Sequence, residues 1–225
     1  MMAQVNFFAR DLPVICVMKL DQSTLLRQLY AEVQNITDSI RQVTAQHSSI
    51  LNTAPAPDSW SIIQVIKHLN TYNKYYVPVV KLKLQHSTAI AQNPTTFKPG
   101  LLGDYFVKMM QPAHNGQVKT RYKAAARHLP VGLENTEKEL QAFYDGQQDL
   151  LNLLQAAGNH DLNRVTVPTS IATLIRIKTA DALRFLVAHQ QRHLLQIQRA
   201  VTQLAGNNSL VSVAISESKQ INFTY

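Results

Sequence analysis

Four stretches of this chain repeat an apolar residue at every third or fourth position, and that spacing leaves few folds open. In residues 23–51 the stripe is Leu25, Leu29, Val33, Ile36, Ile40, Val43 and Ile50. Residues 58–86 carry Ile62, Val65, Leu69, Tyr72, Tyr76 and Val80, and residues 133–157 carry Leu140, Phe143, Leu150 and Leu154. Residues 179–204 add Leu183, Leu186, Val187, Leu194 and Ile197. A helix with one apolar stripe must bury it, and four such helices bury theirs against one another. The expectation is an all-α four-helix bundle with two long connections, one domain over residues 20–204.

The punctuation agrees. "NTAPAP" (52–57) stops the first helix, since two prolines cannot continue it. "DSWS" follows, where Asp58 or Ser59 can cap the second helix, and Pro78 is expected to kink it. Gly158 ends the third helix; Thr179 is the expected N-cap of the fourth, with Asp181 in its first turn. Residues 91–130, rich in proline and glycine, form a long connection with room for a short helix at "LLGDYFVKMM". A second connection, "NHDLNRVTVPTSIATLIRI", holds a β-like segment at 165–167. Residues 1–19 read as an extension and 205–225 as a tail or strand.

The net charge is +8, with the densest basic run in "KTRYKAAARH" (119–128), which reads as a solvated surface able to meet an acidic partner. No stretch has the apolar length of a membrane span, and the first 20 residues lack the cationic start and cleavage site of a secretory signal. A single cysteine, Cys16, excludes an internal disulfide framework and suits the cytoplasm. Neither a glycine-rich phosphate loop nor a G-x-S-x-G elbow occurs.

What remains unexplained is a pair of histidines where a helix normally buries apolar groups. His189 and His193 stand one turn apart on the Leu186–Ile197 stripe, with Cβ atoms about 6 Å apart. With 8 histidines in 225 positions, chance supplies roughly 0.3 such pairs, so the pair needs a third partner. His68, between Val65 and Tyr72 on the inward stripe of the second helix, supplies a candidate. Three imidazoles from two helices leave coordination positions open, as a catalytic divalent metal requires.

"SWSIIQVIKHL" and, about 120 residues later, "DALRFLVAHQQRHLLQIQRA" resemble the DinB-like superfamily, including the YfiT-like metal-dependent hydrolases. The lead-in "VTVPTSIATLIRIKTADAL" fits the same family, and the resemblance spans residues 20–204. It implies a bundle, often dimeric, holding a divalent metal through His68, His189 and His193. It also implies a small-molecule substrate; some members are S-transferases using low-molecular-weight thiols. Gln64 and Gln190 stand where members frequently carry an acid, so a general base in either position is missing.

Trp60 is expected to anchor the mouth of the second helix and can wall a substrate pocket, with Tyr72, Gln64 and Gln190 as further pocket candidates. His47, His86, His114, His128 and His160 are expected to be exposed, and Arg192 to form a surface ion pair away from the histidines. Two functions follow. One is a metal-dependent hydrolase or thiol S-transferase using Zn²⁺ or Ni²⁺. The other is a non-catalytic basic bundle binding nucleic acid or another acidic partner, for which no recognition motif speaks.

Overall fold

The computed structural model describes residues 20–92, 95–113, 118, 120, 122–132 and 135–206. The expected extension, Cys16, His114 and nearly all of the expected tail lie outside the described residues. The stripes become four long helices: α1 (Gln22–Gln46), α2 (Ile62–Gln85), α4 (Thr136–Ala157) and α5 (Thr179–Ala205). The short α3 (Leu101–Met110) occupies the first long connection where "LLGDYFVKMM" allowed it. In the bundle α1 and α2 each pack against both α4 and α5, so α1 and α2 lie on one diagonal.

The stripe of α1 shows why this arrangement holds. Leu25, Leu29, Val33, Ile36 and Ile40 are 0% exposed, and each such side chain contributes about 1.5–3 kcal/mol when taken out of water. The helix stops at Gln46, earlier than expected, and a 3-10 turn over Ser48–Ile50 carries the chain on, leaving Ile50 half-buried.

α2 begins later than "DSWS" suggested. Ser61 is its N-cap: the Gln64 N–H donates to Ser61 Oγ, and Gln64 Oε1 accepts from the Ser61 N–H. This reciprocal pair satisfies two backbone donors at once, which Asp58 and Ser59 lie too far upstream to do. The helix then runs unbroken through Pro78. Lys178, not Thr179, occupies the N-cap position of α5, because the Thr179 hydroxyl donates to the Val165 carbonyl instead.

Two small antiparallel pairings tie down the connections. β1 (Leu20–Asp21) pairs with β2 (Thr96–Phe97), and β3 (Thr166–Pro168) pairs with β4 (Arg176–Lys178), where a β-like segment was expected. α3 lies against α5, and the fit needs glycine: a Cβ on Gly103 would fall 2.5 Å from the Asp181 side chain. No helix among the described residues is long and apolar enough to cross a membrane.

Candidate metal centre

α2 and α5 are packed side by side in the bundle, and the three expected histidines meet between them. His68, His189 and His193 are 2%, 3% and 9% exposed. His189 Nε2 lies 3.2 Å from His68 Nε2 and 3.1 Å from His193 Nε2. Nitrogens bound to one cation at 2.0–2.1 Å would be about 2.8–3.4 Å apart, from right-angled to tetrahedral bonds. The spacing fits.

Protonation makes the fit stronger. His68 Nδ1 lies 2.6 Å from the His128 carbonyl, which can only accept, so His68 carries its proton there and turns the Nε2 lone pair inward. His193 Nδ1 is held in the same way by Gln196 Oε1 at 2.8 Å. His189 Nε2 can donate a proton to only one of these two lone pairs, whereas a cation satisfies all three rings. The group of His68, His189 and His193 can therefore hold a metal ion.

Around the rings the walls are aromatic. Trp60 lies against His68, with ring centroids 5.0 Å apart. Tyr72 sits between His189 at 4.1 Å and His128 at 3.9 Å, and Phe185 stacks on His189 at 5.9 Å. Burial pushes the Tyr72 phenol up to about 12, so it keeps its proton at neutral pH.

Trp60 and Tyr72 thus border the histidines. Gln64 caps α2 with its side-chain oxygen. Gln190 is 0% exposed and sits in an amide network: its Nε2 donates to Asn73 Oδ1 at 3.1 Å and to Gln147 Oε1 at 2.9 Å. Gln147 in turn donates to Thr37 Oγ1, so the network joins all four long helices.

Two residues read as peripheral are not. His128 was expected to be exposed, yet it is 2% exposed, because the 3-10 turn Ala126–His128 folds over α2 and seats the ring on Tyr72. Thr71 Oγ1 donates to the His68 carbonyl, so His128 Nδ1 donates to Thr71 Oγ1 at 2.8 Å. Arg192 was expected to make a surface ion pair. It is 9% exposed, stacks over Tyr122 at 5.3 Å, and its Nη2 donates to the Thr120 carbonyl. Among the described residues no carboxylate pairs with it. The connection around residues 120–128 covers both, and helical spacing gives no sign of such a cover. His47 and His160 are half-buried rather than exposed, while His86 is exposed as expected.

A family model described as the DinB superfamily matches residues 28–197, a span that includes all three histidines. The chain belongs to the DinB superfamily. No curated protein and no solved structure matches it. The superfamily's bundle is here, and the resemblance of "SWSIIQVIKHL" and "HQQRHLLQIQRA" extends to a converged three-histidine group.

Burial holds all three rings below the usual histidine range; neighbouring imidazoles add to this at His189 and His193, and His193 falls to about 3. They are neutral at pH 7, the form that binds a metal. The unfolded chain takes up protons below about pH 6.5 that the folded protein refuses, so stability falls as pH drops from there toward 3. Each ring contributes up to about 1.4 kcal/mol per pH unit. Melting curves of metal-free protein between pH 7.5 and 4 should show Tm falling with acid. A variant with all three histidines changed to glutamine should give a flatter profile; equal slopes would refute the account.

Proposed function

We propose that this DinB-superfamily chain is a metal-dependent enzyme acting in the cytoplasm, with Zn²⁺ or Ni²⁺ held by His68, His189 and His193. The observation that carries the reading is the convergence of three neutral, buried imidazole nitrogens within 4.8 Å of one another. Imidazole donors suit these ions, and three of them leave positions open for a ligand. A divalent cation held there supplies Lewis acidity, lowering the pKa of a thiol or water brought to it.

The chain's own residues favour thiol S-transfer over hydrolysis. The titratable groups that bear on the three rings are other histidines and Arg192, with no Asp or Glu among them. Gln64 and Gln190 are committed to a helix cap and an amide network, so neither supplies a base. Hydrolysis needs a group to move protons from water; a low-molecular-weight thiol ionises readily and attacks an electrophile with little proton help. Trp60, Tyr72 and Phe185 exclude water from one side of the rings.

The test is elemental analysis of tag-free protein, followed by a screen of small thiols against generic electrophiles. Stoichiometric metal and thiol-dependent turnover are expected. A metal-free protein with steep, salt-dependent binding to nucleic acid would overturn the reading in favour of the non-catalytic one. We also propose a homodimer. Leu101 and Leu174, 97% and 96% exposed, are apolar surface that pairing can cover. Sedimentation at tens of micromolar should give twice the 25.3 kDa chain mass; a monomer alone refutes it.

A further inference from the structure

Arg192 is a buried charged group for which the described residues offer no carboxylate counterion. On α5 it follows His189 by three residues and precedes His193 by one, so it stands at the edge of the histidine face. Its positive charge acts on both rings. The side chain is more than nine-tenths buried, and only Nη2 is spoken for, by the Thr120 carbonyl. Nη1 is sealed from solvent and has no hydrogen-bond partner among the described residues. Leaving a buried charged donor unmatched is expensive, and proteins rarely do so without a ligand in view.

A second cationic side chain stands on the same helix. Arg199 lies two turns further along α5 and bears on Arg192. The cover over Arg192 is the basic connection around Thr120 and Tyr122, not a bundle helix. Three neutral histidines also leave the charge of a bound divalent cation uncompensated. Two cationic centres side by side select a ligand bearing negative charge on more than one group.

We propose that Arg192 is an anion subsite beside the three-histidine group, and that the small molecule taken there carries a carboxylate on the same skeleton as the atom that meets the metal. The guanidinium fork matches a carboxylate's two oxygens, as a lysine's point charge does not. This rests on the metal reading above and adds the substrate class to it. The competing role is a clamp that pins the connection through Thr120 and Tyr122, and the two roles separate in binding.

The experiment loads the protein with Co²⁺ and follows thiolate-to-cobalt absorbance with 3-mercaptopropionate and with the neutral 3-mercapto-1-propanol. Wild type should prefer the carboxylate-bearing thiol by about tenfold or more, the effect of roughly one charge-assisted hydrogen bond. Arg192→Gln should abolish that preference and leave the neutral thiol's affinity unchanged, while Arg192→Lys keeps part of it. Equal affinities in wild type, an unmoved ratio in Arg192→Gln, or a parallel loss of both thiols would overturn the proposal. If wild type takes up no cobalt, the metal reading has failed, and calorimetry with sulfate on metal-free protein reads the arginine alone. Heat present in wild type and absent from Arg192→Gln upholds the anion subsite; equal heats overturn it.

Discussion

Arg184→Met should lower stability by about 3–5 kcal/mol, the range for removing one partner of a buried charge pair. Arg184 and Asp181 are both 0% exposed. Arg184 Nη1 donates to Asp181 Oδ1 at 2.8 Å, and Nη2 reaches Asp104 Oδ1 on α3 at 3.0 Å. The guanidinium also lies over the Phe97 ring at 5.5 Å. Without it the Asp181 carboxylate keeps the Gly100 N–H, which donates to it at 2.8 Å. Burial already pushes that carboxyl up, and the arginine is one of the groups that hold it down. In the variant it should take up a proton. A group whose folded pKa is raised gives stability that is present below its unfolded value of about 3.9 and lost as pH rises. The gap in Tm between variant and wild type, compared at equal pH, should therefore be roughly 10 °C near neutrality and narrow toward pH 4. The double variant Asp181→Asn with Arg184→Met should recover much of the loss. A gap that is small, or independent of pH, would show that the cluster does not hold α3 to α5.

Little of that cluster is legible in the sequence. Asp181 has the appearance of an ordinary first-turn acid at the start of α5, placed for the helix dipole. Only Arg184 is near it in sequence, while Gly100 and Asp104 lie some 80 residues away. The bundle itself was legible because burial follows a period: a stripe such as Leu25, Leu29, Val33, Ile36 and Ile40 permits one partner geometry. His189 and His193 stood out for the same reason, since polar rings interrupt an apolar stripe, and His68 sat on the matching stripe of α2. His128 and Arg192 escaped because what buries them is an irregular connection, whose path no periodicity encodes. The basic run 119–128 read as solvated surface, yet its described residues include His128, which touches His68, and Thr120 and Tyr122, which cover Arg192. Position 192 lies at the rim of the helix face, where a cover decides between exposed and buried.

His193→Ala should abolish metal retention while the fold survives. The ring is one of three protein donors, and its Nε2 stands 3.1 Å from that of His189, so its loss opens one more coordination position to solvent. Two histidines remain, His68 and His189, and an exchangeable two-ligand site holds Zn²⁺ or Ni²⁺ too weakly to survive dialysis against a mild chelator. The helices should persist, because α5 stays anchored by Leu183, Leu186, Val187, Ile197 and Ala200, all below 5% exposed. Two further variants grade the effect. Gln196→Ala removes only the acceptor that orients His193 Nδ1 and should weaken metal affinity by about 10–100-fold. His160→Ala, at a ring outside the group, should leave metal content unchanged. Elemental analysis per chain, with far-ultraviolet circular dichroism as the check on folding, reads all three. Full metal stoichiometry in His193→Ala would mean that the ion binds elsewhere, and the ligand assignment would fall.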